Sequence, residues 1–191
     1  MGTVDVDQAI LTRRSVRRYR PDPVPRGVIE EVLSLAQWAP SGVNRQPWRF
    51  VVLGSEMMPR LAAECEKSLA PLEPYLKEHF PDRDDIIERV RAFFKTLGGA
   101  PVAILAYCQG KPANDSDVHS VAAAIQTLLL AAQARGLGSC WMGGPRFREA
   151  EISALVGMED ATLVAVIPIG YPDESPKPAP RQPNRVTYVG F

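Results

Sequence analysis

Apolar positions recur along this chain with two periods, and the switches between them predict alternating helices and strands. Val28, Ile29, Val32, Leu35, Ala36 and Ala39 fall on one face at helical spacing. Pro25 suits the start of that helix and Pro40 stops it. Ahead of it, Asp5 and Gln8 suit the cap of a short first helix that carries Val6, Ala9 and Ile10 towards a core. Continuous apolar runs predict buried strands over 48–53, 102–107, 136–142 and 162–170. The stretch 56–97 is charged and helical, with breaks expected at Pro71, Pro74 and Pro81, as in a lid or outer layer. The resulting pieces are 57–69, 72–79 and 82–97, the last capped by Gly98-Gly99. Asp117 opens a long alanine-rich helix to Arg135, apolar all round and therefore buried on most sides. A further helix ends at Gly157. The tail, 172–185, is too rich in proline for a helix, and Val186-Thr187-Tyr188-Val189 has the composition of an edge strand.

Strands separated by helices predict an α/β fold, a central mixed sheet covered by helices on both faces. No repeat or linker divides the chain, so 1–191 reads as one domain with a variable helical lid near 56–97 and an extended arm near 172–191. The apolar end of the arm favours docking, for which a neighbouring subunit is a natural place.

Composition narrows the function. Of 191 residues, 46% are hydrophobic and 23% charged, which supports a packed core rather than disorder. Formal net charge is zero, against a general affinity for nucleic acid or acidic membrane. Asp5 and Asp7 stand where a secretory signal needs to be uncharged, and His119 and Gln126 interrupt the most apolar run. A cytoplasmic, soluble protein is expected. Cys65, Cys108 and Cys140 are widely spaced with no CxxC pair, and His79 and His119 lack ligand neighbours, so neither disulfides nor a metal is expected. Glu64, Glu66 and Glu73 read as an exposed helical face rather than a carboxylate pair for catalysis.

One stretch departs from this even charge. Arg13-Arg14-Ser15-Val16-Arg17-Arg18-Tyr19-Arg20 holds five arginines in eight residues. Forked guanidinium donors and a serine hydroxyl can surround a phosphate dianion. A solvated basic turn and a nucleic-acid patch are the alternatives. Gly136-Leu137-Gly138 is no dinucleotide fingerprint, because it follows a helix and leads into a strand.

A second stretch, Ala39-Pro40-Ser41-Gly42-Val43-Asn44-Arg45-Gln46-Pro47-Trp48, completes a pattern. Arg-Arg-Ser-Val-Arg, a helix, then Ala-Pro-Ser-Gly-x-Asn-x-Gln-Pro-Trp running into a strand resembles the FMN-dependent nitroreductase superfamily, which includes the iodotyrosine deiodinases. The resemblance implies an intertwined homodimer with FMN at each interface. Arg13, Arg14 and Ser15 would hold the phosphate end, and Arg17 would lie near the pyrimidine edge of the flavin. A cation there stabilises the negative charge that reduction places around N1 and O2. Pro40, Ser41 and Gly42 would reach the flavin from the other subunit. Asn44 and Gln46 would both bond flavin carbonyls or brace the turn, bracing being slightly favoured for Gln46, and Trp48 reads as core. Gly138 and Ser139 would lie beside the N5 edge, the role of the Ser139 side chain staying open. Cys140 reads as a buried strand thiol rather than a nucleophile. Arg181 would close on the phosphate, with Arg185 a competing match; Arg18 and Arg20 read as solvated.

The activity so implied is reduction of a nitroaromatic, quinone or similar small acceptor by a ping-pong mechanism. NADH or NADPH would deliver hydride to N5 and leave before the acceptor occupies the same space. Reductive dehalogenation of the deiodinase type and flavin binding without turnover are the alternatives. Deiodinases grip halotyrosine with a Glu-x-x-x-Tyr pair and a later lysine, and here Pro71 stands four residues before Tyr75.

Overall fold

The computed structural model describes residues 5–112 and 115–191. Four strands, β1 (Trp48–Leu53), β2 (Val102–Cys108), β3 (Gly138–Ser139) and β4 (Thr162–Gly170), form one sheet in the order β1-β2-β4-β3. All three pairings are antiparallel, and the parallel component is an isolated bridge between Ser15 and Ser139. β1 runs from Trp48 opposite Cys108 to Leu53 opposite Ala103. The helices are α1 (Val6–Thr12), α2 (Arg26–Ala36), α3 (Met58–Lys67), α4 (Leu69–His79), α5 (Asp84–Thr96), α6 (Asp115–Ala134) and α7 (Glu149–Ala154).

The alternation of β2 divides the core. Val102, Ile104, Ala106 and Cys108 pack with α2 and α6 on one face of the sheet. Ala103, Leu105 and Tyr107 pack with α3 and α5 on the other. All seven residues of β2 are buried, as its unbroken apolar run predicts. Leu61 from one layer and Leu128 from the other are fully buried. Each such side chain contributes about 1.5–3 kcal/mol through removal from water.

Several expectations change. β1 is not buried throughout: it is the sheet edge, and Val52 is exposed. The third strand closes after two residues because Cys140 next meets Pro168 of β4, which has no N–H to return. The Cys140 amide still reaches the Pro168 carbonyl, and Met142 bridges Val166 beyond it. In the 56–97 segment the helix break falls at Ser68. Pro71 sits in the first turn of α4, where no intrahelical donor is needed, and Pro74 is carried inside that helix. The Asp5 side chain makes no cap bond, and of the first helix only Ala9 is buried, Val6 and Ile10 lying exposed. A short helix packed on α6 within one chain covers a single small residue. Val186-Thr187-Tyr188-Val189 forms no strand and is exposed, since the prolines before it keep the tail from pairing with its own sheet. No helix among the described residues is long and apolar enough to cross a membrane.

Candidate functional site

The arginine run is an extended segment strapped on both sides. α1 ends at Thr12, and Arg14 turns its guanidinium back onto the Leu11 carbonyl at 2.9 Å and the Arg13 carbonyl at 2.7 Å. A cation on the terminal carbonyls suits the negative end of a helix. Beyond it, Val16 donates its amide to the Ser139 carbonyl at 3.0 Å. Buried Tyr19 gives its hydroxyl to the carbonyls of Val16 at 2.6 Å and Pro168 at 3.1 Å. Residues 171–174 run antiparallel along the other side. There Arg20 donates to the Tyr171 carbonyl, Asp173 donates to the Arg18 carbonyl, and Arg17 donates its amide to Glu174 Oε1 at 2.5 Å. Val16 and Tyr19 face the core, and Arg13, Ser15 and Arg17 are left at the surface of the strapped segment.

The five guanidinium groups are not equivalent. Arg18 pairs with Asp173 at 3.1 Å, and Arg20 pairs with Asp22 at 3.4 Å while lying over the Tyr171 ring. Arg14 is held by its own backbone. Among the described residues, Arg13 and Arg17 make no ion pair, and Arg17 lies over the Phe93 ring at 5.9 Å. Cys140, buried next to Ser139, turns its thiol toward the Trp141 carbonyl at 4.0 Å. Burial pushes its thiol above the ordinary range, and the charges of Arg17 and Arg13 draw it only part of the way back. The thiol is buried, as expected, but lies one residue beyond the end of β3.

The second stretch is a strained turn. Val43, Asn44 and Gln46 have φ of 45°, 57° and 48°, a left-handed region that only asparagine tolerates readily among the three. Short bonds hold it there. Ser41 Oγ accepts from the Gln46 amide at 3.0 Å, and Gln46 Nε2 donates to Asn44 Oδ1 at 3.0 Å. Both amide side chains thus brace the turn. Gly42 donates to Ser120 Oγ at 3.3 Å, and a Cβ at Gly42 would lie 2.6 Å from Ser116 Oγ. Arg45 pairs with the buried carboxylate of Asp117 at 3.2 Å. The turn is docked on the start of α6, and its tip is bare: Val43 is 92% exposed and Trp38 beside it 84%.

The structure therefore gathers Arg13, Arg14, Ser15, Arg17, Gly138 and Ser139 into one group. Among the described residues no hydrogen bond or ion pair joins that group to Pro40, Ser41, Gly42, Asn44 or Gln46. Arg181 and Arg185 stand apart from both, on the exposed tail, where Arg185 bonds Gln182. Between the arginine run and α5 lies a cleft of about 780 Å³, lined by Arg17, Glu174, Phe93, Phe80 and Arg89 among others. No group of three or more His, Cys, Asp or Glu among the described residues is arranged to hold a metal.

The description of the Nitroreductase family matches this chain over residues 10–171. The chain belongs to that family. It is similar to an iodotyrosine deiodinase of Thermotoga neapolitana, 33% identical over 184 residues, 94% of this chain and 93% of that one. An NADH dehydrogenase of Thermus thermophilus is 32% identical over 200 residues, 96% and 94% of the two chains. A solved iodotyrosine deiodinase bound to FMN and 3-iodo-L-tyrosine is 31% identical, with a TM-score of 0.78 over 98% and 100%.

Within this nitroreductase fold, three residues that line the cleft beside the arginine run were not singled out from the sequence. Glu174 lies 157 residues from the amide it accepts, and only the return of the chain after β4 makes the pair. Phe93 under Arg17 depends on where α5 docks. Arg89 had a legible signal: Ile86, Val90 and Phe93 recur at helical spacing around it, so the cleft wall was written in the period of α5.

Proposed function

We propose that this chain is an FMN-dependent oxidoreductase that reduces nitroaromatic, quinone or similar small acceptors with NADH or NADPH in alternating half-reactions. The observation that carries the reading is that, among the described residues, Arg13 and Arg17 on either side of Ser15 make no ion pair, on a segment fixed to Ser139. Two guanidinium groups left without acidic partners beside a hydroxyl suit an anionic, hydrogen-bond-accepting group such as the FMN phosphate and the pyrimidine edge of its ring. The donor set fits the cofactor.

When bound, FMN supplies two-electron chemistry at its N5. The chain supplies position and charge. Arg13 and Ser15 hold the phosphate, with Arg14 contributing from the helix end it also caps. Arg17 offers a fixed positive charge to the pyrimidine edge. Gly138 and Ser139 set the backbone beside the ring. Pro40, Ser41 and Gly42 reach the cofactor from the second subunit of a homodimer. That assignment is supported by their separation from Arg13–Arg17 within one chain and by the bare apolar tip at Val43 and Trp38. Arg181, on the exposed stretch of the arm beyond the Glu174 strap, closes on the phosphate, and Arg185 is the competing residue. We place the enzyme in the cytoplasm.

Purified protein should be yellow and dimeric, with stoichiometric FMN, and should oxidise NADH or NADPH faster when menadione or a nitroarene is added. A colourless monomer indifferent to added FMN would end this reading. Reductive dehalogenation is the second reading, favoured by the similarity to the two deiodinases. Against it, Pro71 stands four residues before Tyr75, and Tyr75 is exposed, its ring stacked on His79 at 3.9 Å. Iodide release from 3-iodotyrosine, measured beside quinone reduction, separates the two, and FMN retention without either activity would leave a flavin carrier.

A further inference from the structure

The α5 wall of the 780 Å³ cleft has a mixed character. Ile86, Arg89, Val90 and Phe93 recur at i, i+3, i+4 and i+7 of α5 and all line it. Phe80, 38% exposed, extends the apolar surface from the end of α4. Flat, apolar walls of this kind suit an aromatic ring, and the volume is that of a small-molecule site.

Charge in the cleft is unevenly answered. Asp85 receives Arg83 at 2.8 and 3.1 Å and Arg89 at 2.8 Å, so one carboxylate serves two guanidinium groups. Arg18 is matched by Asp173, and Glu174 gives one oxygen to the Arg17 amide. Arg17 keeps its charge over Phe93. An excess of positive charge thus borders an apolar slot, with Arg17 at one side and Arg89 on the facing helix.

We propose that this cleft selects planar aromatic acids as acceptors, the ring against Phe80 and Phe93 and the carboxylate read by Arg89. The inference rests on the oxidoreductase reading above. For a nitroaromatic acid the step is reduction of the nitro group to nitroso with loss of water. NAD(P)H and one solvent proton supply the two electrons and two protons. Arg89 is a specificity residue: it touches the carboxylate and not the reacting nitrogen. Arg89 gives Nε to the Asp85 carbonyl at 3.1 Å and Nη2 to its carboxylate at 2.8 Å, so its Nη1 edge is left for one carboxylate rather than for the several oxygens of a nucleotide phosphate.

The test compares 4-nitrobenzoate with nitrobenzene as acceptors for wild type, Arg89→Gln and Arg89→Lys. Calorimetric titration of 4-nitrobenzoate without reductant and flavin absorbance are recorded on the same preparations. Wild type should favour 4-nitrobenzoate. Arg89→Gln should raise its KM and Kd about tenfold, the size of one charge-assisted hydrogen bond at a partly exposed site, with kcat and the nitrobenzene parameters unchanged. Arg89→Lys should recover most of the loss. Equal effects on both acceptors, no preference in wild type, or an effect confined to the KM for NADPH would overturn the proposal. Yellow protein that reduces both acceptors alike keeps the cofactor reading and removes the acid site. Colourless protein that binds 4-nitrobenzoate through Arg89 does the reverse.

Discussion

Val16 is held to Ser139 by a 3.0 Å hydrogen bond from its amide, and its side chain fills the space that a Cβ on Gly138 would need. The two segments proposed to touch opposite ends of the cofactor are therefore one packed unit.

Gly138→Ala would set a new methyl 2.8 Å from Val16 Cβ and Cγ1. Overpacking of this kind costs about 1–3 kcal/mol. Both thermal stability and FMN affinity should fall. The double variant Val16→Gly/Gly138→Ala should lose less than the two single changes add up to, because the clash is with Val16 Cβ and its methyls; a strictly additive double mutant sinks the explanation.

Arg13→Ala and Arg17→Ala should separate holding from tuning. Loss of Arg13 should release FMN and weaken the dimer, read by absorbance and sedimentation. Loss of Arg17 should keep the flavin and make its reduction potential more negative, since a positive charge near the reduced ring is gone. Full flavin content in Arg13→Ala, or an unchanged potential in Arg17→Ala, contradicts these roles.

Val43→Asn introduces a residue tolerant of the left-handed backbone and removes an apolar tip. If this turn enters the partner subunit, dimer dissociation should rise about tenfold or more, the cost of leaving one valine unburied. Sedimentation equilibrium reads it. A dimer constant that does not move would take 40–46 out of the interface.

Alkaline pH should destabilise the fold well before arginine titrates. Burial pushes the Cys65 thiol up to about 12, with Glu64 adding to the effect, and raises Tyr19 well above its usual value. Between an unfolded thiol pKa of about 9 and the folded value, the unfolded chain binds fewer protons than the folded one. Stability therefore falls as pH rises through that window, by at most ~1.4 kcal/mol per unit for one such group. Urea midpoints from pH 8 to 11 should decline, and less steeply in Cys65→Ala; identical slopes would remove Cys65 as a source.

Much of this architecture was legible because burial and period agree. Ile29, Val32 and Ala36 are buried on the predicted face of α2, Trp48 is core, and the apolar runs of β2 and β4 pair with each other across one register shift that skips Val164. The same logic failed for α1, whose Val6 and Ile10 carry the core period yet remain exposed in one chain. Pattern reports that a face is apolar, not what covers it. The third strand was read too long because its limit lies in Pro168 of another strand. At the site, the arginines were visible as a group. Which of them are spent on Asp173, Asp22 or the α1 carbonyls depends on chain segments that meet only after folding.

The excursion between Leu53 and Ala103 leaves and rejoins the sheet at two residues that face each other across one antiparallel ladder. Since closing a longer loop between fixed ends adds only slowly to the entropic cost, that span behaves as a replaceable cassette. Helices from a relative, grafted between these two points, should change what the enzyme accepts, provided they restore the Gly98 carbonyl that holds the Tyr19 amide at 2.9 Å and the ring that Phe93 sets beside Arg17.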